Sequence, residues 1–446
     1  MKQNSSKQKT FNFHFNIPKL AFQLILSHIT IPMLGLINTI VAGHFANQYY
    51  LAAMGLGAMI FDVMYWGLGF FRMTSTGLVA HAYGEKNTNK INEILLHSLM
   101  LAIVIGVGLI LLQLPLYDFF SMCIHSNAQV MDLVHQYYIA RIWGAPAVLM
   151  NLVIIGVLIG IQKTRGPLII LTITNLLAIG LSVFLGMTLN FKLVGIAWSN
   201  VLAQYTGLFI GLYVLSRYID LKELVTQVHI KWHIFQRLLS ANRDIFIRSL
   251  CLMTVFTFFT VWSGYISVLV LAVNTLLMNF FQIMSNALGG FDNVAETFSG
   301  QAIGEKNMKK FKQNIFRVGY WSLAFSLFFS IVYLLFGHVF VAYMTDIQSI
   351  QKLAMSYMPL VILFPLVCFV SFLLDGVAIG ANLFKEMRNG MLLTLALFFV
   401  IWYVLKSYQN LGLWLAFYSF FIVRAIFLGY FIRQFYLKHK SPGNSR

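Results

Sequence analysis

The sequence predicts an all-α integral membrane protein with twelve transmembrane helices, arranged in two six-helix lobes related by a parallel internal repeat. Three observations lead there. Hydrophobic residues are 59% of the 446, and Asp, Glu, Lys and Arg together only 10%, against about a quarter in a soluble domain; mean hydropathy is +0.77. Apolar runs such as Leu95–Pro115, Leu168–Leu189 and Leu360–Leu374 reach or approach the roughly 20 residues that cross a ~30 Å hydrocarbon core. The hexapeptide AYGEKN at 82–87 returns with one change as AIGEKN at 302–307, 220 residues later.

Taken in order, the spans fall at about 18–44, 51–80, 94–115, 134–162, 167–188, 194–216, 245–266, 271–301, 315–341, 356–381, 389–406 and 412–436. None alternates every second residue, so a membrane β-barrel is disfavoured and helices remain as the way to satisfy the backbone in lipid. The first run follows a basic start at Lys2, Lys7 and Lys9, is too long for a signal-peptide core, and lacks a small-residue cleavage site; it reads as retained.

The offset of 220 recurs elsewhere. LAAMGLGAMIF (51–61) faces LAVNTLLMNFF (271–281), and GVLIG (156–160) faces GVAIG (376–380). Six helices per half is an even number, so both halves enter the bilayer from the same side. On alternate sides of the spans, one side collects 25 Lys and Arg residues and the other only Lys192, Lys352 and Lys406. That asymmetry places both termini in the cytoplasm. The domain reading is an amino-terminal lobe at 1–216, a cytoplasmic linker at 217–244, and a carboxy-terminal lobe at 245–446. The linker reads as a basic amphipathic helix at the membrane surface. The net charge of +17 then reports topology and affinity for anionic lipid headgroups; no soluble basic face suggests nucleic acid. The repeated hexapeptides fall in cytoplasmic turns after the second helix of each half, where Gly84 and Gly304 are expected to end the helix and the Glu–Lys pair to stay solvated.

Enzyme chemistry finds no support. Cys123, Cys251 and Cys368 lie far apart with no CxxC, and HExxH, GxSxG and GxxxxGK[ST] are all missing. The histidines, such as His44, His97 and His338, sit mostly near span ends. No cofactor and no metal site is indicated. What remains is charge inside the spans, which is costly and therefore points to function: Arg72, Arg141 and Arg424, with Asp62, Asp292, Glu296 and Asp375. Asp292 and Glu296 are spaced i, i+4, so their carboxyls share a helix face and can hold a proton or a cation such as sodium. The bland alternative is that each acid is satisfied by an ion pair, with Arg72 or Arg424 as partner, and that the three arginines are structural counter-charges.

Four stretches carry a resemblance: ITIPMLGLINTIVAGHF (29–45), GFFRMTSTGLVAHAYGEKN (69–87), NRDIFIRSLCLMTVFTFFT (242–260) and LLDGVAIGANLFKEMRNGMLL (373–393). They resemble the multidrug and toxic compound extrusion (MATE) transporters, most closely the DinF-type branch, in order and over nearly the whole chain. The resemblance implies two six-helix lobes that exchange protons or sodium ions for organic cations. It also exposes departures. Where this branch usually has an Asp, the chain has Asn38; an Asn/Asp pair of the fifth helix falls on Ala178 and Ser182; the Asp of an LDGF motif falls on Gly289, with Asp292 nearly one turn on and Glu296 retained. The amino-terminal lobe has thus lost its usual ionisable site.

The reading is a secondary active antiporter in the cell membrane, exporting lipophilic, cationic small molecules against a proton or sodium gradient as a monomer in contact with membrane lipids. Coupling-ion candidates are Glu296, Asp292, Asp375 and Asp62; substrate-cavity candidates are Asn38, Asn175, Ser182 and Arg72. The alternatives are a flippase for lipid-linked precursors and, more remotely, a membrane-embedded enzyme or a sensor.

Overall fold

The computed structural model describes residues 2–45, 47–124, 127–220 and 231–440, with backbone alone for residues 2–16, 28, 29, 31, 32 and 123. Helices account for nearly all of them: α1 Lys2–Gly43, α2 Gln48–Gly67, α3 Phe70–Gly84, α4 Thr88–Leu111, α5 Gln113–Cys123, α6 Ala128–Arg141, α7 Ala145–Gly160, α8 Arg165–Val183, α9 Lys192–Ser216, α10 Trp232–Ile266, α11 Val268–Gly304, α12 Met308–Met344, α13 Gln348–Gly380, α14 Phe384–Leu405 and α15 Gln409–Lys440. Among the described residues, ten stretches are long and apolar enough to cross a membrane, and the last of these, Phe384–Lys440, is α14 and α15 joined by a 3-10 turn at Lys406–Tyr408. With α1 included, each of the twelve expected spans has its helix. Two spans are interrupted, at Leu68–Gly69 between α2 and α3 and at the 3-10 turn Ile142–Gly144 between α6 and α7.

The helices gather into two compact units. One comprises Leu26–Asn242; the other comprises Arg243–Arg446 together with the chain up to Ile25. The sequence reading kept the first 25 residues with the amino-terminal lobe, whereas a methyl group on Gly290 of α11 would meet Ile25 Cγ1 at 2.6 Å and the Ala21 carbonyl oxygen at 2.8 Å. The expected linker also divides. Residues 232–244 are the first turns of the 35-residue α10, and of the amphipathic helix expected over 217–244 the middle part, 221–230, lies outside the described residues.

The repeated hexapeptides turn out to be matched caps. Asn87 Oδ1 accepts from the Lys90 amide at 3.0 Å and Asn307 Oδ1 from the Lys310 amide at 2.8 Å, which opens the next helix by satisfying an orphan donor. Lys90 Nζ pairs with Glu85 at 2.8 Å and Lys310 Nζ with Glu305 at 2.7 Å. The helices end at Gly84 and Gly304 as expected, but the left-handed residues are Lys86 (φ 55°) and Lys306 (φ 53°), not the glycines. The same turn recurs after α7 and α13, at Gln162 (φ 63°) and Asn382 (φ 57°), again 220 apart.

The GVLIG and GVAIG words have a packing role. A Cβ on Gly156 of α7 would stand 2.5 Å from the Arg72 carbonyl oxygen of α3, and one on Gly160 would stand 3.0 Å from that of Thr76. In the other unit, Gly376 and Gly380 of α13 meet the carbonyl oxygens of Asp292 and Glu296 of α11, each at 2.2 Å. All four contacts map onto one another at the offset of 220. Small residues spaced by four let two backbones approach closely where lipid supplies no hydrophobic drive between helices. The repeat therefore extends from sequence to packing.

Candidate functional site

In the carboxy-terminal unit a close approach of two helices lies beside a group of buried charges. Because α13 approaches α11 through Gly376 and Gly380, it presses on the face carrying Asp292 and Glu296, which are 7% and 0% exposed. Asp292 Oδ1 would stand 2.4 Å from a Cβ on Gly376, so that position admits no side chain. Next along α13 is Asp375, held from two sides: Arg248 Nη1 of α10 donates to Oδ2 at 2.7 Å, and Arg424 Nη2 of α15 pairs with Oδ1 at 2.5 Å. All three are at most 5% exposed. Asp292 is near enough for its charge to act on Arg248. Two acids and two arginines thus balance within one buried cluster, beside a cavity large enough for about one water and lined also by Met387, Met391 and Phe427.

A second buried acid lies one turn before Arg248 on α10. Asp244, 4% exposed, accepts from Arg388 Nη1 of α14 at 2.8 Å and pairs with Arg243 at 3.1 Å. Paired buried charges of this kind are strongly destabilising when broken. Between them, Asp244 and Asp375 tie α10, α13, α14 and α15 together. The sequence reading found Asp375 and named Arg424 as a possible partner, and the structure joins them. It missed Arg248, Asp244 and Arg388. Arg248, one of the 25 Lys and Arg residues assigned to the cytoplasmic side, lies three residues inside the expected span at 245–266 and about four turns into α10, which begins at Trp232. The available signal was the i, i+4 Asp/Arg spacing within NRDIFIRS.

The amino-terminal unit is arranged differently. Asn38 on α1 is 3% exposed, and its Oδ1 has no hydrogen-bond partner among the described residues. Asn175 of α8 donates to Thr30 Oγ1 of α1 at 2.7 Å, and Ser182 shares a 2.6 Å hydrogen bond with Ser199 of α9. The neutral polar positions therefore stitch α8 to α1 and to α9 as separate bonds rather than one cluster. Arg72, half-buried, lies on the α3 face met by Gly156. Asp62 is exposed on α2 and makes no ion pair with Arg72 or Arg424; the charge it feels is that of Arg141. Among the described residues, no three His, Cys, Asp or Glu side chains come together to hold a metal ion.

The MatE family profile matches the chain twice, over residues 24–184 and 245–407, once in each half of the repeat. This chain is a MATE-family transporter. It is 36% identical over 411 residues to the DNA damage-inducible protein F of Escherichia coli K12, covering 92% of this chain and 90% of that one, and 23% identical over 420 residues to a probable multidrug resistance protein NorM of Bacillus cereus, covering 88% of each. Among solved structures, a MATE protein in the bent conformation superposes with a TM-score of 0.86 at 17% identity over 95% of both chains. A MOP-superfamily transporter from Pyrococcus furiosus superposes at 0.81 and 19% identity, over 95% of this chain and 96% of that one. The transporter is a multi-pass membrane protein and not an enzyme, and the DinF-type resemblance seen in its motifs is matched by its E. coli relative.

Proposed function

We propose that the transporter is a secondary active antiporter that exports lipophilic organic cations by alternating access, driven by a proton or sodium gradient. The observation that carries this is the buried Asp292/Glu296 face on α11: two carboxyls one turn apart inside an apolar span, next to an acid whose charge two arginines already neutralise. Asp375, so held, is a poor store for a mobile ion. Glu296 and Asp292 are better placed, because a coupling group must gain and lose its ion between inward- and outward-facing states. Asn38, Asn175 and Ser182 are taken as neutral polar groups of the substrate route in the amino-terminal lobe. The multidrug activity named for the Bacillus relative fits this reading, and the chain acts as a monomer.

Both termini are placed in the cytoplasm on the strength of the Lys and Arg asymmetry. The test of function is reconstitution into liposomes with an imposed proton or sodium gradient and a fluorescent lipophilic cation. Gradient-dependent accumulation of the dye is expected. Dye movement indifferent to both gradients overturns antiport, and movement of a lipid-linked anion in its place favours the flippase alternative.

A further inference from the structure

We infer that His97 is a pH-sensitive latch for the segment that leads into α10: while its imidazole is neutral it holds Lys231 against α4, and when it takes up a proton Lys231 is released. The inference is independent of the transported solute and of the coupling ion, because none of its groups is a coupling or substrate candidate.

His97 is fully buried on α4, and both ring nitrogens are engaged. The Lys231 amide donates to Nε2 at 3.0 Å, and Nδ1 donates to the Glu93 carbonyl oxygen, one turn back on α4, at 2.7 Å. These partners fix the tautomer. An amide N–H only donates and a carbonyl oxygen only accepts, so Nδ1 carries the hydrogen and Nε2 is bare. The Glu93 carboxylate completes the hold by pairing with Lys231 Nζ. The Lys231 carbonyl oxygen in turn accepts from the Ile234 and Phe235 amides at 3.0 and 3.3 Å, so holding Lys231 holds the first turn of α10. That helix leaves the unit Leu26–Asn242 at its next residue, Arg243, and is the stretch by which the chain passes from one half to the other.

A second proton on this ring has only Nε2 to go to. There it sets an N–H against the N–H of Lys231, and an attraction becomes a repulsion. A buried imidazolium also needs an acid beside it, and the acid one turn away is Glu93, which Lys231 already uses. Proton and lysine therefore compete for the same two groups, and uptake of one displaces the other. Imidazole is the side chain that changes charge between about pH 5 and 8, so the signal that opens such a latch is acidification.

The other titratable groups near this end of α4 are arranged among themselves. Lys90 of α4 pairs with Glu85, which also takes His81 of α3 at 3.4 Å, and the charge of Arg237 on α10 acts on that same histidine. Arg72 and Tyr83 are the remaining titratable residues of α3, and His233 of α10 is exposed; α7, which also packs on α4, carries no titratable side chain. The repeat confines the latch to one half. At the offset of 220, Glu93 and His97 correspond to Gln313 and Arg317, an amide and a side chain that does not deprotonate.

Hydrogen–deuterium exchange on purified full-length protein tests this, read as the protection of residues 231–240 relative to the unstructured rate at each pH. Between about pH 7.5 and about pH 5.5, the wild type is expected to lose at least about fivefold in protection there, the worth of one hydrogen bond. His97→Gln, whose amide oxygen can accept in place of Nε2 without titrating, is expected to stay protected at both pH values. His97→Phe, which has no acceptor, is expected to show the low protection at both, and Glu93→Gln to lower protection at the higher pH. His81→Gln is expected to respond as the wild type does. Wild-type protection that does not change with pH overturns the latch, and so does a pH response that survives in His97→Gln. If His97→Phe fails to fold, the comparison of wild type with His97→Gln still decides.

Discussion

Gly376 of α13 lies against Asp292 of α11 so closely that a methyl group on it would stand 2.2 Å from the Asp292 carbonyl oxygen and 2.4 Å from Oδ1. Its repeat partner Gly156 stands in the same relation to Arg72, at 2.5 Å from the carbonyl oxygen. A clash with backbone cannot be relieved by a rotamer change, so the helices must separate. Gly376→Ala and Gly156→Ala are therefore expected to cost about 3 kcal/mol each, the upper end for overpacking. Gly289→Ala, on the same α11 but with nothing within 4 Å, is expected to be neutral or to add up to about 1 kcal/mol through helix propensity. Thermal unfolding in detergent compares the three; equal stability of all would mean that the contact is not what sets the helix spacing.

The Arg248–Asp375–Arg424 cluster makes a contrasting prediction. Asp375→Asn removes the negative charge between two buried arginines and is expected to destabilise the carboxy-terminal unit by roughly 3–5 kcal/mol, the range for breaking a buried pair. The double change Asp375→Asn with Arg424→Gln, which removes one orphaned charge, is expected to recover part of the loss. A folded Asp375→Asn protein of wild-type stability but no transport would instead identify Asp375 as a coupling group. Yields on size-exclusion chromatography and melting temperatures separate these outcomes.

The turn words allow a smaller and cleaner measurement. Asn87→Ala and Asn307→Ala each remove a side-chain cap, at an expected cost of about 1 kcal/mol. Lys86→Gly and Lys306→Gly place the residue without a Cβ where φ is positive and are expected to be neutral or slightly stabilising. The two members of each pair should respond alike, because the turns repeat bond for bond. Destabilisation by the glycines would show that the lysine side chains contribute more than the backbone conformation costs.

Much of this was legible in the sequence for physical reasons. Lipid forces backbone polar groups into helices, so apolar run length alone located twelve spans, and a shared offset tied GVLIG to GVAIG before their contacts were known. Side-chain partnerships were less visible. Arg248 and Asp375 lie 127 residues apart, and no periodicity connects them. The lysines at positive φ were invisible because glycine is the usual signature of that conformation. Asp244 was missed because a helix can extend well beyond its apolar window, as α10 does from Trp232.

The last expectation concerns where the driving ion acts. Of the four acids that the sequence placed inside the spans, Asp375 is neutralised by two arginines, Asp292 interacts with Arg248, and Asp62 is exposed on α2. Glu296 is fully buried, one turn from Asp292, on the face that α13 presses through Gly380. A group in that place feels any separation of α11 from α13 as a change in hydration, which is the change a coupling carboxylate needs between two states. Glu296→Gln keeps the shape and removes the titration. It is expected to reduce accumulation of the fluorescent cation in liposomes to the level seen without a gradient, while tetraphenylphosphonium binding stays within about threefold of wild type. Asn38→Asp, which places a carboxyl where relatives of the DinF-type branch usually carry one, is expected to change the dependence on the proton gradient. Gradient-driven accumulation at the wild-type rate in Glu296→Gln would remove Glu296 from the coupling path, and an Asp62→Asn protein that binds normally but no longer couples would move that path to the amino-terminal unit.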